Sequence, residues 1–320
     1  MVKATAPGKI YLYGEHSVVY GYPALACAIN KRTIVEAQKK NEGITILPKN
    51  LSFESVKFKI GGEEGNEIPE KQIKKLDYIR KSIKKIFEIK SEKTGLKLKI
   101  RTELPIGGGL GSSASVTVAT ISALNELYGL NLPRKKISKL AYEVEKEVQG
   151  SASPCDTFTS TMGGLTRVEK GKSLEKKKTP KLPIVIGYTQ ESSNTKQLVE
   201  QVKQLKEEYP EIINNLFTSI GEITKRGQKE VQNRDLEKIG ELMNINQGIL
   251  DSIKINNLKL SKLIYAARES GAYGSKITGA GGGGCIIALT DNKEKTANSI
   301  KVFGGEPIKT QITNQGVTIE

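Results

Sequence analysis

Apolar and polar residues alternate with period two over Leu96–Arg101, the pattern of a strand with one buried face. Shorter versions mark Lys9–Tyr13, Thr33–Gln38, Ile44–Leu47 and Val56–Ile60. The spacing becomes helical over Lys71–Ile89 and Arg134–Gln149, which are amphipathic, and over Ser113–Leu127, which is Ala-rich and apolar. GGEEGNEIPE, Gly61–Glu70, reads as a turn-rich connection. After a strand in GGLTRVEK, the lysines and prolines of Lys170–Pro183 mark a boundary between two units, set at 178/179. The second unit opens on the strand IVIGYT and continues as helices over Thr195–Glu207, Pro210–Gln232 with an interruption at its glycines, Leu236–Leu250 and Leu258–Ser270. It ends with the strand IIALT, a helix over Lys293–Val302 and a strand over Val317–Glu320, and no internal repeat is visible.

Three segments do not fit this periodicity. PIGGGLGSSAS, Pro105–Ser115, places four glycines and three serines between the alternating strand and the Ala-rich helix. Glycines let a ligand approach the backbone, and the following helix turns its unpaired amides and positive dipole end toward it, so the run has the chemistry of an anion cradle. It lacks the Gly-Lys-Ser/Thr ending of a Walker loop and the later acidic residue of a dinucleotide fold. Near the start, Lys3–Ile29 sets Lys9, Glu15 and His16, the only histidine, beside glycines that interrupt a strand. Near the end, GSKITGAGGGGC, Gly274–Cys285, has six glycines in twelve residues, too many for a stable helix or an ordinary strand. It reads as a hinge or as a second loop near phosphate, with Lys276 or Thr278 as a polar contact.

The 320 residues suffice for two domains, and 37% hydrophobic with 27% charged residues is ordinary for a globular protein. The N-terminus has no apolar signal core and no stretch is long enough for a membrane span, which suggests a cytoplasmic protein. Cys27, Cys155 and Cys285 read as reduced thiols. A net charge of +15 raises nucleic-acid binding as an alternative. The excess is nearly all lysine and Trp is absent, so solvated lysine faces around anionic small substrates suit it better; neither nucleic acid nor membrane is the expected partner.

APGKIYLYGEH, PIGGGLGSSAS and KITGAGGGGC resemble, in order and spacing, the three motifs of the GHMP kinase superfamily, and VEKEVQGSASPCDTFTSTMGG extends the resemblance along the chain. The resemblance implies a two-domain α+β fold: residues 1–178 like ribosomal protein S5 domain 2, residues 179–320 ferredoxin-like, and an active site between them. It implies ATP held by Pro105, Ile106, Gly107, Gly108, Gly109, Leu110, Gly111, Ser112, Ser113, Ala114 and Ser115, with Mg²⁺ on Ser113 and Glu145. Asp156 is implied as catalytic base with Lys9 beside it, although by sequence alone Asp156 sits in a small-residue loop and suits a helix N-cap. Glu145 has Glu143 and Glu147 as neighbours, and a solvated helix face is the alternative reading for it. GEHSVVYGYPALACAI is most similar to the members that act on mevalonate, which implies phosphorylation of (R)-mevalonate at its 5-hydroxyl, with Lys9, Glu15, His16, Val19 and Thr278 contacting the substrate. Phosphomevalonate and homoserine stay open as substrates because the superfamily shares its ATP machinery. The oligomeric state is open too, a homodimer included.

Overall fold

A computed structural model of the chain describes residues 1–49, 56–58, 70–91, 94–150, 152–169, 171 and 173–320. The end of the Val56–Ile60 strand and most of the Gly61–Glu70 connection lie outside the described residues. In chain order the elements begin β1 (Val2–Tyr13), β2 (Ala24–Lys40), β3 (Ile44–Lys49), β4 (Val56–Phe58), α1 (Glu70–Lys90) and β5 (Gly95–Thr102). They continue α2 (Ser112–Leu127), α3 (Arg134–Gln149), α4 (Pro154–Met162), β6 (Leu165–Val168), β7 (Glu175–Lys177) and β8 (Pro183–Tyr188). The remainder is α5 (Thr195–Glu208), α6 (Pro210–Asn233), α7 (Leu236–Ser252), α8 (Leu258–Glu269), β9 (Gly274–Thr278), β10 (Cys285–Leu289), α9 (Lys293–Val302), β11 (Glu306–Gln311) and β12 (Thr318–Ile319).

Two sheets organise these elements. The first runs β12-β1-β2-β5-β3-β4, with β6 on β2 and β7 on β6, and its one parallel pair, β3 with β5, is joined through α1. The second runs β11-β8-β10-β9, all antiparallel, and its chain order of strand, helices, two strands, helix, strand is the ferredoxin-like split arrangement. The chain therefore has the two units of mixed helices and sheets that the resemblance implied, and its C-terminal stretch crosses back to the first: Ile312 bridges Ile29 of β2, and β12 pairs with β1, Ala4 opposite Ile319 and Thr5 opposite Thr318. Arg32 fixes this return by donating to the carbonyl of Gly316 at 2.6 Å and to the carbonyl of Thr5 at 2.8 Å.

α2 is buried nearly all round, against β1, β2, α1, α3 and α4. Its small side chains let β1 approach, and most of its buried hydroxyls donate to backbone carbonyls: Thr117 to that of Ser113 at 2.8 Å, Thr120 to that of Val116 at 2.7 Å and Ser115 to that of Ala6 at 3.0 Å, while Ser122 Oγ finds no partner among the described residues. Four sequence expectations change here. β2 begins at Ala24, nine residues before the expected strand, because Ala24–Ile29 is wholly buried and therefore shows no alternation. α6 is continuous through its glycines; a Cβ at Gly227 would lie 2.2 Å from the Tyr13 ring, so the glycine seats the helix on that ring without breaking it. The first five residues of the last Gly-rich segment form β9, a buried strand at the edge of the second sheet. Asp156 lies in the first turn of α4, whose N-cap is Ser153. The three cysteines are buried and free. Among the described residues no helix is long and apolar enough to cross a membrane.

Candidate active site

A cleft of about 850 Å³ opens between the two sheets' helices and loops. Its first wall comes from β1, because period two turns Lys9 and Tyr11 to the same face while Ile10 and Leu12 enter the main core. A register shift between Tyr11 and Tyr13 then sends Tyr13 into the core with Ile10 and Leu12. Lys9 is only 4% exposed, and its ammonium lies 3.2 Å from Asp156 Oδ2 and 4.2 Å from the Tyr11 ring centre.

Asp156 reaches this point from the first turn of α4, where Pro154 opens the helix and Ser153 Oγ accepts from the amide of Cys155 at 3.2 Å. The carboxylate complements the helix dipole there. Its second oxygen, Oδ1, is buried and finds no hydrogen-bond partner among the described residues.

The Gly-rich loop supplies the opposite lip. Gly111 is the N-cap of α2 at φ 70°, a conformation that disfavours a side chain, and a Cβ there would lie 2.8 Å from Lys9 Cγ. The Lys9 amide donates to the carbonyl of Leu110 at 2.9 Å, so loop and strand are one unit. Of the eleven loop residues singled out by sequence, Ile106, Gly107, Gly109, Gly111, Ser112 and Ser113 line the cleft. Pro105, Gly108, Leu110, Ala114 and Ser115 do not; Leu110 and Ala114 are core and the Ser115 hydroxyl is held by Ala6.

α3 brings Glu145 to the same floor. Glu145 is 2% exposed and accepts from Ser113 Oγ at 2.7 Å. Burial, with Asp156 nearby as second cause, pushes its carboxyl up to about 8, against the pull of Ser113 and Lys9. Glu143 and Glu147 turn the other way, to Lys85 of α1 at 3.8 and 2.7 Å. Ser113 and Glu145 are hard oxygen donors side by side, and this set fits Mg²⁺. Among the described residues no group of three or more His, Cys, Asp or Glu gathers, so such an ion would draw its remaining ligands from phosphate and water.

The turn after β1 completes the site differently from expectation. His16, at φ 59°, donates from Nε2 to the carbonyl of Ala280 at 2.9 Å, which leaves Nδ1 as an acceptor. Burial pushes its pKa below the ordinary imidazole value, which favours the neutral ring. Glu15 lines the cleft but is spent on a buried ion pair with Lys276 of β9, and its other oxygen accepts from Asn246 at 3.4 Å. Burial pushes the Glu15 carboxyl up and the Lys276 ammonium down, and each charge offsets the other's desolvation. Lys276 is fully buried and so does not serve as a phosphate contact. Thr278 likewise does not line the cleft: its hydroxyl accepts from the Tyr11 amide at 2.9 Å and donates to the Tyr11 carbonyl at 3.1 Å. Val19 is at the rim and 61% exposed.

Sequence reasoning missed Tyr11, Tyr78, Ser153 and Thr195, all of which line the cleft. The period-two relation to Lys9 could have found Tyr11. Tyr78 of α1, whose hydroxyl is raised to about 12 by burial and then by Glu145, and Thr195 of α5 come from distant segments with no local signal.

The chain matches the GHMP kinases N terminal domain over residues 77–164, the GHMP kinases C terminal domain over 228–302 and a galactokinase galactose-binding signature over 2–39. It is 44% identical to a mevalonate kinase of Thermococcus gammatolerans and 42% identical to one of Pyrococcus furiosus, in both cases over 100% of this chain and 98% of that protein. Among solved structures it superposes on the Methanococcus jannaschii mevalonate kinase with a TM-score of 0.84 at 30% identity, covering 97% of this chain and 98% of that one. It superposes on the L. major mevalonate kinase in complex with R-mevalonate with a TM-score of 0.83 at 25% identity, covering 98% and 96%.

Proposed function

The chain belongs to the GHMP kinases, and from that premise we propose that it transfers the γ-phosphoryl group of ATP to the 5-hydroxyl of (R)-mevalonate, giving 5-phosphomevalonate and ADP for isoprenoid synthesis. The substrate follows from full-length relatives that are mevalonate kinases. The observation that carries the reaction type is the 3.2 Å pair of Lys9 and Asp156 beside the N-terminus of α2, in one cleft.

Phosphoryl transfer to an alcohol needs position and charge stabilisation more than covalent chemistry. In this reading the loop amides and the α2 dipole hold the triphosphate. Asp156 Oδ1, without a partner of its own among the described residues, accepts the substrate hydroxyl proton, while Lys9 on Oδ2 fixes the carboxylate and faces the charge that develops on the transferred group. Ser113 and Glu145 would hold Mg²⁺, which neutralises phosphate charge when bound. The neutral His16 offers Nδ1 to a hydroxyl of the acid substrate. We divide the chain at 178/179, with β12 returning to the first domain. The proposed setting is the cytoplasm.

ATP consumption measured with mevalonate, phosphomevalonate, homoserine and galactose tests the assignment. Turnover with mevalonate alone is expected; turnover confined to another acceptor overturns it.

A further inference from the structure

The Lys9 ammonium has an aromatic ring as neighbour besides the Asp156 carboxylate. Its Nζ is 4.2 Å from the centre of Tyr11, within the range in which the negative face of an aromatic ring attracts a cation. The two residues are next-but-one neighbours on β1, so the strand itself sets the stacking. The ring cannot drift. It is 8% exposed, packed with Ala24, Ala26 and Cys155, and its hydroxyl lies against Cys155 and Ser153, the residues that open α4 and so carry Asp156. Its backbone is gripped from the other sheet by the single hydroxyl of Thr278, which takes the Tyr11 amide proton at 2.9 Å and returns its own to the Tyr11 carbonyl at 3.1 Å.

We propose that Tyr11 is a positioning residue for the phosphoryl transfer: its ring face holds the Lys9 ammonium against Asp156, and Thr278 of β9 fixes the backbone from which that ring projects. Tyr11 acts through Lys9, not on substrate. The proposal rests on the kinase reading above. It also gives Thr278 a task that needs no substrate contact.

The test replaces Tyr11 with Phe and then with Phe carrying one, two and three ring fluorines. Fluorine withdraws electron density from the face with little change of shape, so packing stays while the attraction for a cation falls. Tyr11→Phe should restore nearly all of the kcat that Tyr11→Leu loses, which should be about tenfold or more, and kcat should fall stepwise with each fluorine while KM for ATP stays within about threefold. A flat series, with the parent protein active on mevalonate, overturns the proposal; so does a Tyr11→Phe variant as impaired as Tyr11→Leu. Should Tyr11→Leu fail to fold, the isosteric series decides alone. Independently of any reaction, the Lys9 ε-methylene protons should resonate upfield through the ring current and lose that displacement in Tyr11→Leu, or in Tyr11→Met if the Leu variant does not fold. An undisplaced resonance in the parent protein overturns the proposal, whereas a parent inactive on mevalonate with the displacement present indicts the substrate assignment instead.

Discussion

The two glycine-rich segments share a composition and do opposite work. Around Gly107–Ser113 the chain faces the cleft, with side-chain-free backbone on one side and open space on the other. Around Gly274–Gly284 it faces mostly protein, with only Gly279 and Ala280 on the cleft: β9 is a buried edge strand of the second sheet, a Cβ at Gly281 would lie 2.3 Å from the Ile255 carbonyl oxygen, and the amide of Gly282 donates to that same oxygen at 2.8 Å. Glycine in the first segment admits a ligand; in the second it admits the rest of the molecule. Composition alone therefore does not tell a phosphate cradle from a close-packed joint, and the neighbouring elements decide.

The largest expected effect lies beside the first segment. Asp156→Asn and Lys9→Met should each lower kcat by about 10² to 10⁴ while ATP still raises the melting temperature, since neither residue belongs to the loop. Their double variant should lose less than the product of the two, as residues acting as a unit do. A kcat near the parent value in either single variant would remove the chemistry from this side of the comparison.

Valine at each glycine segment sharpens it further. At Gly111 the left-handed conformation costs about 1–2 kcal/mol, and the branched side chain fills the phosphate approach, so the nucleotide-dependent stabilisation, about 2.7 kcal/mol at a hundredfold excess over Kd, should vanish from a protein that still folds. At Gly281 the clash is with backbone, and the unfolding free energy should drop by roughly 2–4 kcal/mol with the ATP response intact in the folded fraction. Urea unfolding with and without ATP reads both. The opposite pairing of outcomes would mean that the two segments have been assigned each other's role.

A smaller effect separates Glu145 from its neighbours. Glu145→Gln should raise the Mg²⁺ concentration for half-maximal rate by about tenfold, whereas Glu143→Gln and Glu147→Gln, which lose contacts with Lys85 and, for Glu147, Lys81 of α1, should leave it unchanged. A shift in the Glu147 variant instead would detach Ser113 from any metal role.

What could be read in the sequence follows from range. β5, α1, α3 and α9 were legible because one face of each is wet and its periodicity is printed in the chain. Ala24–Ile29 and β9 were not: the first is buried on both faces and has no polar positions to mark it, and in the second Lys276 and Thr278 are buried polar residues whose partners lie far along the chain. The loop, Lys9 and the order of the motifs were likewise legible. The occupation of Glu15 by Lys276 and of Thr278 by Tyr11 was not, because each pair joins residues more than 260 positions apart and looks from sequence like a set of free polar side chains.

The return of β12 to β1 has a consequence for biogenesis. β1 precedes β12 by roughly 300 residues in the chain, and its hydrogen-bonding edge toward β12 stays open until Thr318 and Ile319 have been made. Synthesis at about 5–20 residues per second puts at least roughly 15 seconds between the two events. Over that interval the strand that bears Lys9 is an unguarded template for other chains, so this protein is expected to depend on prompt completion, or on a chaperone over that edge, more than a protein whose first domain closes on itself.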